Sequence, residues 1–347
     1  MTKLIATAAV GLAAAVAALG QPAEPQLTAF FTKIGLTAQQ RDAVNAGRAV
    51  AKVLSWGESS EIYVFGAVHI DGSPAVYLSS ARNVSRLAGT EGYKGIGELP
   101  PEPTVADLAG LSLDPDDIKA LKSCKEGDCD VQLPSAAVQA FHDSVNWSQP
   151  DVASQVNALA RSRIVDLIQA YHRGGNEALG VYRDKEHPAL IAKQFETMVN
   201  RAADVPDVMP DLRQYLLRYP NAELPDADSF FYWEKVDFGM KPTIRVNHGV
   251  VYQPQGNRGI SAVAIKQLYA SHYFHTALDV SVCVADSQPG SRGFYLLTLK
   301  GSEQAGLTGV KGSMLRKVVV DKTRSSLEKA LAAIKDTSEK TPASARQ

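Results

Sequence analysis

Apolar residues recur along this chain with two different periods. Leu27, Phe30, Phe31 and Ile34 have the spacing of one helical face and stop at Gly35. Thr37 offers an N-cap to a second helix whose inner face would run through Val44, Val50, Val53 and Leu54. From Glu61 to Ile70 the residues are β-branched, aromatic or small. Asp71-Gly72 is a turn signal and Ala75 to Leu78 reads as a returning strand, so a hairpin is expected over 61–78. Residues 83–105, interrupted by glycines and prolines from Gly89 to Pro103, read as a long loop.

Helical periodicity then dominates up to about residue 225. Asp114-Pro115-Asp116-Asp117 is a helix start, with a cap, a proline in the first turn and carboxylates at the positive end of the helix dipole. The clearest helix is 151–172, with Val152, Val156, Leu159, Ile164, Leu167, Ile168 and Tyr171 on one side and Gly174-Gly175 after it. Shorter helices are expected at 188–203 and 210–218. From Ser229 the pattern becomes extended, over 229–238, 242–252, 261–274, 278–285 and 293–299. A glycine-rich loop, Gly306 to Gly312, leads to a last helix at 313–335, with Leu315, Val319, Leu327, Leu331 and Ile334 as its apolar stripe.

This order predicts an α+β protein in which a mainly helical region (21–225) precedes an antiparallel sheet with a long C-terminal helix packed on it (226–337). A polar tail over 338–347 is expected to be disordered. The chain has 347 residues, 36 Lys+Arg against 37 Asp+Glu, and 45% hydrophobic residues. That balance excludes a disordered polyelectrolyte and argues against a nucleic-acid surface.

Residues 1–20 read as a signal peptide: Lys3, then an uncharged run from Leu4 to Leu19, then Ala18-Leu19-Gly20 before a cleavage point at Gln21. The expected location is therefore periplasmic or secreted, with no integral membrane span after cleavage. An oxidising compartment favours a disulfide between Cys124 and Cys129, which bracket Lys-Glu-Gly-Asp, over half of a metal site whose second half is missing. Cys283 lies in an apolar strand pattern and reads as a buried thiol.

Ser271-His272-Tyr273-Phe274-His275 carries the densest chemistry. On a strand the two histidines would point to opposite faces, so one metal ion cannot be shared, and either ring could line a sheet interior or act as a general base. Ser229 to Phe238 interleaves rings and charges, with Trp233 and Asp237 on one strand face and Tyr232 and Glu234 on the other. Arg245 and Asn247 share a face and suit either a polar head-group or cross-strand pairing. Gly306, Gly309 and Gly312 do not form a phosphate loop, because Lys311 precedes Gly312. No metal or cofactor motif is found, and none is expected.

The C-terminal third, about 229–335, resembles START-type helix-grip proteins in its order of elements. Successive antiparallel strands end in Gly293-Phe-Tyr-Leu-Leu-Thr-Leu299, and the segment from Lys311 to Lys335 would be the gripping helix. The chain as a whole resembles exported bacterial proteins, which implies no activity. The helix-grip resemblance implies a cavity between sheet and helix. The expected function is a protein that holds an apolar small molecule or lipid there, with Tyr232, Trp233, Arg245, His272, Tyr273 and His275 lining or gating the space. Two alternatives stand beside it. One is a cavity enzyme with His272 or His275 as base and Glu234, Asp237 or Asp279 as partner. The other is a periplasmic interaction module without a pocket.

Overall fold

A single antiparallel sheet organises the molecule. The computed structural model describes residues 23–202, 209–255, 259–307 and 309–340. In chain order its elements are α1 (Ala23–Ile34), α2 (Ala38–Asn45), β1 (Val50–Leu54), β2 (Glu61–Ile70), α3 (Ala75–Arg82), β3 (Tyr93–Leu99), α4 (Pro115–Ser123), α5 (Ser135–Ser144) and α6 (Val152–Gly174). These are followed by β4 (Val181–Tyr182), β5 (Ala189–Leu190), α7 (Ile191–Arg201), α8 (Pro210–Arg218), β6 (Ala227–Val236), β7 (Thr243–Tyr252), β8 (Ile260–Ala270), β9 (Phe274–Ala285), β10 (Phe294–Gln304) and α9 (Gly309–Lys340). Eight strands pair in the order β1-β2-β10-β9-β8-β7-β6-β3, while β4 and β5 form a separate two-residue pair.

The meander β6 to β10 is the expected run of extended segments. Strand β2 joins it beside β10, and β3 closes the far edge against β6. Strand alternation gives the sheet two covered faces. Tyr63, Phe65 and Ala67 of β2 join the core under α1, α2 and the helices between β3 and β6, whereas Ile62, Val64, Val68 and Ile70 join a second core under α3 and α9. A strand covered on both sides reads as an unbroken apolar run, which is why β2 lacks polar alternation.

The C-terminal helix lies on β2 and β1 in a helix-grip-like arrangement. Leu327 and Leu331 meet β2 at Gly66, where a Cβ would stand 2.7 Å from Leu331 Cδ1. Only glycine allows this approach without displacing the helix. Arg316 reaches the carbonyls of Ser59 and Glu61 at 3.0 Å each, and Glu339 accepts from the Asp71 amide at 2.9 Å.

Several local expectations are corrected. Residues 75–78 form the first turn of α3 and not a returning strand, so 61–78 is no hairpin; Ser73-Pro74 acts as a helix start and β2 pairs with β1 and β10. The second helix ends at Asn45, and Val50 to Leu54 belong to β1. The loop expected over 83–105 contains the edge strand β3, whose Gly95 and Gly97 make room for the Trp233 indole. The last helix continues to Lys340, with Ser338 buried, so the tail expected from 338 is helical as far as 340. The expected leader and residues 341–347 lie outside the described residues. Among the described residues, no helix is long and apolar enough to cross a membrane.

Candidate functional site

The helices between β3 and β6 do not seat flush on the sheet. An apolar pocket of about 270 Å³ lies between α4, α5, α6 and strands β7 and β8, lined by Leu121, Phe141, Ile164, Leu167, Ile244 and Leu268 among others. Arg163 and Asp166 also line it; both are exposed on α6, and their side chains are 3.4 Å apart.

Local sequence explains how the walls are held. Pro115 starts α4 and Pro134 precedes α5, and the segment between these helices is tied down at several points. Cys124 and Cys129 form the expected disulfide, with a Cα–Cα distance of 4.6 Å. Gln132 Nε2 donates to the carbonyls of Ala270 and Phe274 at 2.9 and 3.0 Å, and the Tyr269 hydroxyl donates to the Gln132 carbonyl at 3.0 Å. The α4–α5 connection is thereby fixed to the β8–β9 turn. Each partner is a backbone carbonyl, so register is set without introducing charge.

That turn carries His272. Strand β8 stops at Ala270, and Tyr273 has a φ of 64°, so Ser271 to Tyr273 form a tight connection and not strand. His272 Nε2 lies 3.0 Å from Asp117 Oδ2, and Nδ1 lies 3.0 Å from the Asp130 carbonyl. Both acceptors require a ring N–H, so neither nitrogen keeps a lone pair for proton abstraction. Lys241 pairs with the other Asp117 oxygen at 2.6 Å. Burial opposes ionisation of Asp117, but His272 and Lys241 hold its carboxyl below the ordinary value. The arrangement is a buried charge cluster that anchors α4 to the turn.

A second polar group occupies the sheet face that carries α9. Glu234 and Arg245 pair across β6 and β7 at 3.1 Å, Asn247 donates to Glu234 at 3.1 Å, and Arg245 donates to Gln267 at 3.2 Å. The Arg245 guanidinium stands 5.6 Å from the Phe274 ring centre. Asp279 and Lys300 pair across β9 and β10 and remain about one-third exposed (31% and 36%), so α9 does not seal this face. Burial, reinforced by the Glu234 charge, pushes the Tyr93 hydroxyl up to about 12 and holds that of Tyr232 well above its ordinary value.

The residues expected to line one site are therefore divided. Tyr232, Glu234 and Arg245 come together on the α9 side. Trp233 lies in the opposite core, against Gly95, Gly97 and Gly110. Tyr273 accepts from the Lys241 amide at 3.0 Å, and Asp237 caps its own turn by accepting from the Gly239 amide at 2.8 Å. His275 sits at the irregularity where Phe274 pairs with Gln304 and Thr276 with Glu303. Burial lowers its pKa, and its Nδ1 makes no hydrogen bond.

Sequence reasoning missed Asp117 as the partner of His272, and it missed the apolar pocket. Asp117 reads locally as a helix-start carboxylate, and nothing in the chain connects it to a turn 155 residues away. The pocket comes from how three helices rest on two strands, and no motif marks that. No family model matches the chain, and no curated protein matches it.

Proposed function

We propose that this protein binds an apolar small molecule in the pocket between α4–α6 and strands β7 and β8. The carrying observation is that pocket: about 270 Å³, lined mainly by aliphatic and aromatic side chains, with an ionic pair among its lining residues. An apolar cavity of roughly 150 Å³ accommodates one benzene ring, so the space suits a ligand of about ten carbon atoms. Ligand sites of this kind are commonly apolar walls with few polar groups. The expected place of action is outside the cytoplasm. The leader-like residues 1–20 and the Cys124–Cys129 disulfide support that reading.

The test is calorimetry with decanol and decanoic acid on the oxidised protein, alongside Ala137→Trp, which places an indole in the pocket. Micromolar binding by the wild type, lost in a folded Ala137→Trp variant, supports the proposal. Absence of binding by any apolar probe, or equal binding by the filled variant, refutes it.

An interaction module is the second reading. It rests on Met314, Leu315 and Val318, which stand exposed together on the first turns of α9. A cavity enzyme based on His272 receives no support, because both of its ring nitrogens are occupied.

A further inference from the structure

A different histidine has the geometry that His272 lacks. Ser229 is exposed near the start of β6 and lines a pocket of about 250 Å³ with Arg82, Leu99, Pro100, Phe230 and Phe231. Its Oγ lies 2.8 Å from Nε2 of His248, which is fully buried on β7. His248 Nδ1 lies 3.1 Å from the Tyr171 hydroxyl of α6, and that oxygen lies 3.1 Å from Nζ of Lys266 on β8. Lys266 also reaches Asn176 Oδ1.

A nucleophile at a pocket, a base in contact with it and a third group orienting the base are the parts that activate a serine hydroxyl. We infer that Ser229 and His248 are a nucleophile–base pair that accepts an acyl group from an activated ester. The site is separate from the apolar pocket, and the inference does not rest on the binding reading.

Base catalysis by His248 sets the direction of hydrogen bonding through its ring, with Nε2 accepting and Nδ1–H donating. Ser229 O–H donates to Nε2, Nδ1–H donates to the Tyr171 oxygen, and the Lys266 amine donates to that same oxygen and to Asn176 Oδ1. Burial lowers the Lys266 pKa well below its ordinary value, and the amine donates in both of its contacts. His248 is faced by Tyr171 and His172 of α6, Tyr215 of α8, Tyr219, Lys266 of β8 and Phe231 of β6, none of them a carboxylate. Burial, with Lys266 and His172, holds it well below the usual histidine value, so the base form is present at neutral pH.

In the reaction Ser229 Oγ bonds to the ester carbonyl carbon and its proton passes to Nε2. The bond from that carbon to the leaving alcohol oxygen breaks, and this oxygen takes the proton. Water then cleaves the acyl-serine and releases the acid. Arg82 borders the same pocket, 4.6 Å from the Phe230 ring centre, with its charge neutralised by Glu98 and Asp228 at 2.7 Å each.

The experiment treats the full oxidised chain with p-nitrophenyl acetate and, separately, with an alkyl fluorophosphonate, followed by intact-mass and peptide mapping. A single adduct on Ser229 is expected, with none in Ser229→Ala. His248→Gln should slow labelling about a hundredfold or more. Tyr171→Phe, which removes the acceptor of Nδ1–H, should slow it and move the midpoint of the pH–rate profile to lower pH. An unmodified Ser229, equal labelling of Ser229→Ala, or unchanged labelling in His248→Gln overturns the inference. Should His248→Gln not fold, the wild-type profile decides. A midpoint below 6.5 supports the pair, and a rate that simply follows hydroxide concentration refutes it.

Discussion

Asp117 Oδ2 and His272 Nε2 stand 3.0 Å apart, joining the first turn of α4 to the β8–β9 turn. The side chains are 2% and 5% exposed, so this is a buried pair, flanked by the Lys241 ammonium 2.6 Å from the other Asp117 oxygen and by the Asp130 carbonyl at His272 Nδ1. Removing one member leaves the other without its partner, at a cost of about 3–5 kcal/mol. Asp117→Asn should therefore lower the urea midpoint at pH 7 substantially, while an exposed carboxylate such as Asp166 changed to Asn should not.

The same pair sets an acid limit. The folded Asp117 pKa is below its ordinary 3.8, so the unfolded chain binds the proton more tightly. Its contribution is fully present above 3.8 and is lost as pH falls through the folded value. Stability profiles of wild type and Asp117→Asn should converge in that acid range and separate above it.

Lys266 predicts a slope of opposite origin. Its folded pKa is well below the ordinary 10.5, so at any pH between the folded value and 10.5 folding releases a proton that the unfolded chain keeps. Stability from this group therefore rises as pH increases from the folded value towards 10.5. Lys266→Met abolishes the proton release. Denaturant midpoints between pH 7 and 9.5 should rise for wild type and be flatter for the variant. Parallel curves would show that Lys266 is charged in the folded protein.

The Cys124–Cys129 loop is short, with a sequence separation of 5. Chain-entropy arguments assign such a loop about 2 kcal/mol. Its larger effect should be local, because the Cys129 amide donates to the Asp184 carbonyl at 3.0 Å and Lys185 Nζ to the Cys129 carbonyl at 2.7 Å. Reduction should raise hydrogen exchange over 124–134 before the sheet amides respond.

The architecture was legible where one pattern had one explanation. The meander from β6 to β10 and the long last helix follow from strand alternation and the Leu327/Leu331 stripe. The edge strand β3 was not legible, because Gly95 and Gly97 look like loop residues until the Trp233 ring that covers them is in place. Helix α3 was hidden because Ala75 to Leu78 contains Val76 and Tyr77, which local propensity places on a strand as readily as on a helix. His272 was identified as chemically important, yet its partner is an aspartate from another region of the chain. Ser229 and His248 were visible only as strand residues. Their pairing depends on the β6–β7 register, in which Ser229 faces Val250 and Phe231 faces His248.

The grip of α9 on β2 can be measured directly. A Cβ at Gly66 would meet Leu331 Cδ1 at 2.7 Å and Leu327 Cδ2 at 2.9 Å, so Gly66→Ala overpacks this contact and should cost about 1–3 kcal/mol. Leu331→Ala, at a residue 1% exposed, should cost about 2–5 kcal/mol through the cavity it leaves. In the double variant the added methyl enters the vacated space, so the combined cost should fall short of the sum by about 0.5–3 kcal/mol. Strict additivity in that cycle would mean that the helix does not rest on β2 at Gly66.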